Sequence, residues 1–127
     1  MKKKSFAIIG SPITHSLSPV LHNYWFKKYN IEAEYELLNI EENKVKDVIE
    51  SVKEKKIKGI NVTLPYKRFV IPFLSKTVND ANETHSVNTV LLDGNSNLIG
   101  ENTDVFGFQA AYLKSLPDSE KKNKKAL

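Results

Sequence analysis

Two serines stand just before a predicted helix, in the stretch Gly10-Ser-Pro-Ile-Thr-His-Ser-Leu-Ser-Pro19. Ser16 and Ser18 lie two residues apart, so in extended backbone both hydroxyls could face one point. Together with the free N–H groups and the positive dipole end of the helix, they would form a cradle for a carboxylate. The alternative is that Ser18 is only the N-cap of the helix and Ser16 an ordinary loop residue.

A second polar group lies in the stretch Asn61-Val-Thr-Leu-Pro-Tyr-Lys67. Asn61 and Thr63 point to the same side of a predicted strand, although a strand inside a parallel sheet is usually apolar on both faces. Lys67 follows the carboxyl end of that strand, which is where open α/β sheets bind their ligands. A solvated surface lysine is the alternative interpretation.

The third and fourth stretches are Ser86-Val-Asn-Thr89 and Gly100-Glu-Asn-Thr-Asp104. Asn88 places an amide inside a strand pattern, and Asp104 begins a predicted helix. An acid in the first turn of a helix is also favourable for purely structural reasons. If Lys67 and Asp104 meet in the fold, the pair could exchange a proton with a substrate hydroxyl.

Other kinds of site lack support in the sequence. The five glycines are not spaced as a dinucleotide or phosphate loop, and no Gly-x-Ser-x-Gly elbow occurs. Cysteine is absent, and the histidines are not spaced as metal ligands. We therefore predict no metal-binding and no cofactor-binding residues in these 127 residues.

The positive net charge does not indicate nucleic-acid binding. Seven lysines lie at the two ends of the chain, and removing them from the net charge of +4 leaves −3 for the remainder. Only Arg68 among the 19 basic residues is an arginine, the usual bidentate reader of bases and phosphates. No apolar run is long enough to span a membrane, so we expect a cytoplasmic protein that binds neither nucleic acid nor membrane.

The order of predicted elements is typical of an α/β protein with a parallel sheet. Strands are predicted at Ser5–Gly10, Ala33–Leu38 and Gly59–Leu64, with helices from Ser18-Pro19 to about Asn30 and over Glu42–Glu54. Hydrophobic periodicity predicts the inward faces of the two helices, which are Val20, Leu21, Tyr24 and Trp25 in the first and Val45, Val48, Ile49 and Val52 in the second.

The second half of the chain is less regular. Short helical segments are predicted at Lys67–Leu74 and Lys76–Ser86, then a hairpin of Val87–Leu92 and Asn97–Asn102 with Asp93-Gly94 in its turn, then a helix over Asp104–Leu116. Residues 117–125 are lysine-rich and are predicted to form a linker.

The four polar stretches, in this order and spacing across residues 6–108, resemble the amino-terminal domain of the shikimate dehydrogenase family. Two departures from that family's usual sequence are His85-Ser86, where small residues are common, and Val105, where glycine is frequent. The resemblance implies a three-layer α/β sandwich around a mostly parallel mixed sheet. It also implies NADP-dependent reduction of 3-dehydroshikimate to shikimate, on the route through chorismate to the aromatic amino acids.

The resemblance also implies a role for each polar residue. Ser16 and Ser18 would bind the substrate carboxylate, and Lys67 and Asp104 would form the catalytic pair. The ring hydroxyls would be contacted by Asn61, Thr63, Lys67, Asn88 and Asp104. Lys67 would donate the proton, because its ammonium also stabilises a developing alkoxide.

The family continues into a second, NADP-binding domain that also supplies a substrate-contacting glutamine. We therefore expect residues 1–116 to be the substrate-binding catalytic domain and residues 117–127 to be a linker that opens a missing cofactor domain. On that expectation the isolated chain is inactive and could form a homo-oligomer through surface exposed by the truncation. The alternatives are a quinate/shikimate dehydrogenase and a stand-alone binding module for a hydroxy-acid without redox activity.

Overall fold

The fold is a six-stranded mixed sheet with helices on both faces. The structure is a computed structural model that describes residues 3–104, 109–111 and 114. Its elements are β1 (Lys4–Gly10), α1 (Ser18–Lys28), β2 (Ala33–Asn39), α2 (Glu42–Lys53), β3 (Gly59–Val62), a 3₁₀ turn (Ile71–Phe73), β4 (Lys76–Thr77), α3 (Asp80–Thr84), β5 (Thr89–Leu92) and β6 (Leu98–Glu101). None of the described helices is long and apolar enough to cross a bilayer.

The strand order across the sheet is β2-β1-β3-β5-β6-β4. Strand β1 runs parallel to both β2 and β3, and β4 runs parallel to β6. Strand β5 is antiparallel to both of its neighbours. It lies beside β3, and a hairpin turn joins it to β6. The mostly parallel mixed sheet implied by the resemblance is therefore confirmed.

Each face of the sheet packs against a separate apolar cluster. Strand β1 therefore has apolar residues on both faces, as is usual for a strand in the middle of a parallel sheet. On one face, Ala7 and Ile9 belong to the larger cluster, which contains the buried face of α2. On the other face, Ile8 belongs to a smaller cluster against which Phe26 of α1 packs. Helix, sheet and helix thus form three layers, which confirms the predicted α/β sandwich.

Helix α2 follows its sequence pattern closely. It spans Glu42–Lys53, one residue less than predicted, and Val45, Ile49 and Val52 are fully buried. Val48 is half-buried against the same cluster. The predicted inward face is therefore confirmed.

The predicted inward face of α1 is wrong. Val20, Leu21, Tyr24 and Trp25 are all exposed, with Val20 retaining 70% of its accessible surface. The helix instead faces the sheet through a different set of side chains, which includes His22, Asn23 and Phe26.

Polar contacts with the edge of the sheet explain the orientation of α1. Strand β2 is an edge strand, so some of its backbone groups lack a strand partner. The Asn23 side chain supplies one: its Nδ2 donates to Tyr35 O at 3.0 Å and its Oδ1 accepts from Tyr35 N at 2.9 Å. Hydrophobic periodicity carries no information about such a contact.

Two further predictions about α1 also differ from the structure. Ser18 is the first helical residue, and the N-cap position is taken by Leu17. The helix ends at Lys28, before the predicted Asn30. The Ser18 N–H donates to the Ser16 hydroxyl at 3.1 Å, so the Ser16 side chain pairs a free N–H group at the start of the helix, as a capping side chain does.

The two helical segments predicted between Lys67 and Ser86 are largely wrong. The first is a series of turns with a single 3₁₀ turn at Ile71–Phe73, since Pro72 lacks the N–H that a longer helix needs. The second contains β4 and only a five-residue helix, α3. Strand β4 is two residues long, too short for any periodicity to reveal it.

The predicted hairpin is confirmed as β5 and β6, with shorter strands than the pattern indicated. Asp93 closes its turn, because Oδ1 accepts the backbone N–H groups of Asn95 and Asn97, both at 2.9 Å. These hydrogen bonds lower the pKa of Asp93 below its usual value, and the bond from the Asn97 backbone has the largest effect.

The predicted final helix is described only in part. Asp104, residues 109–111 and Lys114 are helical, and the rest of the predicted helix lies outside the described residues, as do residues 117–127.

Candidate active site

The topology brings all four polar stretches to one edge of the sheet. Parallel strands β1 and β3 end side by side there, with Ile9 opposite Val62. Because β5 is antiparallel, its first residue, Thr89, lies at the same edge, opposite Asn61 on β3 and Glu101 on β6. The loops after β1, β3 and β6 and the residue before β5 therefore meet at the carboxyl edge, the usual ligand edge of such sheets.

A cleft of about 370 Å³ opens at this edge. It is lined by Ile8, Ser18, His22, Asn61, Val62, Thr63, Lys67, Asn88, Thr103 and Asp104. All the residues predicted from sequence to form the site are among them except Ser16. The cleft is large enough for a small ring compound and its polar substituents.

Lys67 and Asp104 meet inside this cleft. The Nζ of Lys67 lies 2.6 Å from Oδ2 of Asp104, the length of a charge-assisted hydrogen bond. The lysine side chain retains 28% of its accessible surface and the aspartate 53%, so a bound molecule can reach both. The backbone N–H of Asp104 donates to Asn102 Oδ1 at 2.8 Å, which fixes the start of the segment that carries the carboxylate.

Asn88 connects β5 to the segment that precedes Asp104. Its Nδ2 donates to the Thr103 hydroxyl at 2.8 Å, and its Oδ1 accepts from the Thr103 backbone N–H at 3.0 Å and from the Thr89 hydroxyl at 3.0 Å. Asn88 is buried, with 9% of its surface accessible. These contacts set the position of Asp104 as well as the orientation of the Asn88 amide.

Asn61 is held by a second set of contacts. Its Oδ1 accepts from the Tyr35 hydroxyl at 2.7 Å, and its Nδ2 lies 3.3 Å from Asn88 O and 3.2 Å from Thr89 Oγ1. No buried side-chain polar atom among the described residues is left without a hydrogen-bond partner. The polar groups of the cleft wall therefore fix one another's orientation.

Sequence reasoning misses two residues that line the cleft, His22 and Thr103, and two that hydrogen-bond to the lining residue Asn61, Tyr35 and Thr89. Tyr35, His22, Thr89 and Thr103 have no local signal, because each fits an ordinary strand, helix or loop pattern. Burial raises the pKa of Tyr35 to about 12, and a side-chain hydrogen bond with Ser18 partly opposes that rise. Tyr35 therefore keeps its proton at neutral pH and acts as a hydrogen-bond donor.

The two serines are placed differently from each other. Ser18 lines the cleft, and its carbonyl lies 2.9 Å from Nδ1 of His22. Since a carbonyl only accepts, Nδ1 of His22 carries the proton in this contact. Ser16 is not part of the cleft lining, and its Oγ accepts the Ser18 N–H.

The arrangement can bind a hydroxylated ligand and exchange a proton with it. Amide, hydroxyl, ammonium and carboxylate groups converge on one space, and the ammonium can stabilise negative charge on an oxygen. The described residues contain no group of three or more His, Asp or Glu side chains that could hold a metal ion.

Fold and cleft together define an α/β domain with a polar cleft at the carboxyl edge of its sheet, and comparison with known proteins identifies its family. The sequence model of the shikimate dehydrogenase substrate binding domain matches residues 8–90. The chain belongs to this family.

Relatives and solved structures agree with this membership. The chain is 46% identical over 125 residues to an NADP(+)-dependent shikimate dehydrogenase of Pelagibacter ubique, covering 98% of this chain. The Aquifex aeolicus shikimate dehydrogenase structure has a TM-score of 0.81 and 36% identity, covering 91% of this chain and 43% of that one. A Listeria monocytogenes shikimate 5-dehydrogenase, solved with shikimate and NAD, has a TM-score of 0.81 and 31% identity, covering 89% of this chain and 39% of that one.

The chain is shorter than these relatives. It spans 46% of the length of the Pelagibacter protein and 39% of a Staphylococcus epidermidis shikimate dehydrogenase.

Proposed function

We propose that this chain is the substrate-binding half of an NADP-dependent shikimate dehydrogenase, which reduces 3-dehydroshikimate to shikimate in the cytoplasm. The observation that carries the proposal is the 2.6 Å contact between Lys67 and Asp104, inside a cleft that also gathers the other predicted residues apart from Ser16. The matched family and the named activities of the relatives support it.

Binding follows from the chemistry of the cleft wall. The substrate carboxylate would lie against the hydroxyl of Ser18, with Ser16 completing its cradle. Asn61, Thr63 and Asn88 would form hydrogen bonds with the ring hydroxyls, to which Lys67 and Asp104 also bind. A site built to bind hydroxyl groups rejects analogues that lack them, because its polar groups would then stay unpaired.

Lys67 and Asp104 would carry the proton chemistry. No residue described here is assigned to NADPH, which would be held by another part of the full-length protein and, when bound, would supply the hydride for the carbonyl carbon of 3-dehydroshikimate. The Lys67 ammonium donates its proton to the carbonyl oxygen, which becomes the hydroxyl of shikimate. Asp104 holds the ammonium in place and accepts a hydrogen bond from an adjacent hydroxyl.

Kinetics of the full-length protein that contains this chain test the proposal. Lys67→Met should lower kcat for shikimate oxidation by a factor on the order of 10² to 10⁴, because it removes the acid–base group. Lys76→Met is the matched control, since Lys76 also lies near an aspartate, 3.9 Å from Asp93, but outside the cleft. An unchanged kcat in Lys67→Met would contradict the proposed catalytic role.

The same assay separates the alternatives. Comparable turnover of quinate would indicate the quinate/shikimate dehydrogenase type. Binding of shikimate without any turnover by the full-length protein would indicate a binding module. The absence of both binding and turnover would contradict the proposed substrate.

The exposed apolar side chains of α1 support self-association of the 127-residue chain. Val20, Tyr24 and Trp25 share this surface with Leu17 and Leu21. Sedimentation velocity should show a dimer or larger species at high concentration, whereas a clean monomer would contradict self-association.

A further inference from the structure

We infer that Tyr35 is a positioning residue that fixes the side-chain amide of Asn61, so that Asn61 presents an acceptor oxygen to a hydroxyl of the bound ligand. This inference rests on the proposed function for the identity of the ligand. Tyr35 is itself no part of the cleft lining, but it contacts three residues that are: its ring stacks on His22, and its hydroxyl is hydrogen-bonded to Ser18 and to Asn61.

Two residues of α1, Asn23 and His22, hold Tyr35 in place. Its backbone N and O are both hydrogen-bonded by the Asn23 side chain, at 2.9 and 3.0 Å. Its ring stacks on the His22 ring with the centroids 4.2 Å apart and the planes 8° from parallel. The His22 ring is in turn fixed by the Ser18 carbonyl, 2.9 Å from Nδ1. Neighbouring residues of one helix thus clamp a tyrosine on the adjoining strand.

From β2 the Tyr35 side chain reaches over β1 to Asn61 on β3. Its hydroxyl lies 2.7 Å from Oδ1 of Asn61, and the side chain is almost fully buried, with 5% of its surface accessible. A hydroxyl buried to this extent needs a partner, and the amide oxygen supplies it.

The orientation of the Asn61 amide follows from its neighbours. A backbone carbonyl can only accept, so the Asn88 carbonyl at 3.3 Å requires the NH₂ group on its side. The second Nδ2 proton is directed at Thr89 Oγ1, 3.2 Å away. Both amide protons are thus used within the protein, and Tyr35 uses one lone pair of Oδ1. The other lone pair is the group that Asn61 can offer to a ligand hydroxyl.

A double-mutant cycle on shikimate affinity in the full-length protein tests this role, using Tyr35→Phe, Asn61→Ala and the double variant. Tyr35→Phe should weaken binding by about 3- to 10-fold, the usual effect of losing one hydrogen bond. In the Asn61→Ala background the same change should have no effect, because the group that Tyr35 positions is gone. A purely structural role would weaken binding equally in both backgrounds, and that result would overturn the inference. So would unchanged affinity in Tyr35→Phe.

Tyr66→Phe is the matched control. Tyr66 is as buried as Tyr35, and its hydroxyl donates to a backbone carbonyl, Ile40 O, at 2.8 Å. Both Tyr66→Phe and Tyr35→Phe should lower the melting temperature, but the effect of Tyr66→Phe on shikimate affinity should not depend on Asn61.

A ligand-free measurement separates this inference from the proposed function. If the unaltered protein does not bind shikimate, the proposed function fails, and NMR of the Asn61 side-chain amide still decides the role of Tyr35. Tyr35→Phe should shift or split the Nδ2 proton signals of Asn61 and leave those of Asn97, in the distant hairpin turn, unchanged. Identical Asn61 signals in both proteins would overturn the inference.

Discussion

Replacing Asn88 by alanine should lower the free energy of unfolding by an amount set by the hydrogen bonds of the Asn88 side chain. The change removes three contacts, with the Thr103 hydroxyl at 2.8 Å, the Thr103 N–H at 3.0 Å and the Thr89 hydroxyl at 3.0 Å. A hydrogen bond contributes about 0.5 to 1.5 kcal/mol net, so three of them set a range of about 1.5 to 4.5 kcal/mol. Thr103 is exposed and its groups can bind water once Asn88 is gone, which favours the lower part of that range. We expect a loss of about 2 kcal/mol.

Urea unfolding followed by far-ultraviolet circular dichroism measures this loss. The midpoint should fall while the slope of the free energy against urea stays constant, because the surface exposed on unfolding is nearly the same. Asn95→Ala is the control, since Asn95 is exposed in the hairpin turn and its side chain forms no hydrogen bond with any residue that the structure describes. Its effect should stay within about 0.5 kcal/mol. Equal losses in the two variants would refute the reasoning from hydrogen bonds.

Two further predictions concern stability. The pKa of Tyr35 is about 12 in the folded chain and takes its ordinary value of 10.0 in the unfolded chain. The stabilisation of the folded state by protonated Tyr35 is therefore fully present below pH 10 and is lost as the pH rises towards 12. The difference in unfolding free energy between the unaltered chain and Tyr35→Phe should therefore shrink by up to about 2 to 3 kcal/mol across that window, and a constant difference would contradict the shift. Gly10→Ala should cost about 1 to 3 kcal/mol in urea unfolding by overpacking, because a Cβ there would lie 2.5 Å from Thr63 Cγ2 and 3.0 Å from Leu64 O. Gly94→Ala, with nothing within 4 Å, should be neutral, so equal losses in the two glycine variants would argue against a steric cause.

The elements that sequence predicts well are those whose side chains repeat with a clear period. Helix α2 has a regular apolar stripe, and β1 contains four consecutive apolar residues, Phe6 to Ile9, followed by a glycine. The β5–β6 hairpin is marked by its Asp93-Gly94 turn. In each case a short window of sequence contains the information that determines the structure.

The elements that sequence predicts poorly depend on contacts between distant residues. Helix α1 turns Asn23 and His22 towards the sheet because Tyr35, on another element, offers them specific partners. Its apolar residues, such as Val20, then face outwards. Strand β4 exists only because β6 provides two residues with which it can pair.

The candidate site shows the same division. Lys67 and Asp104 can be singled out because they lie at a strand end and a helix start, in polar stretches whose order and spacing resemble those of the shikimate dehydrogenase family. That they meet at 2.6 Å depends on the antiparallel insertion of β5, which brings β6 back to the edge where β3 ends. Tyr35 gives no signal at all, because a tyrosine in a strand is ordinary and its hydroxyl acts on a residue 26 positions away.

The direction of the β5–β6 hairpin has a practical consequence for labelling this domain. Both open ends of the hairpin lie at the cleft, and its turn lies at the opposite edge of the sheet, on the order of 14 Å away for four-residue strands. Gly94, in that turn, has open space around it. A fluorophore or affinity handle attached at position 94 would therefore be anchored to the same two strands that hold Asn88 and Asp104, without entering the cleft.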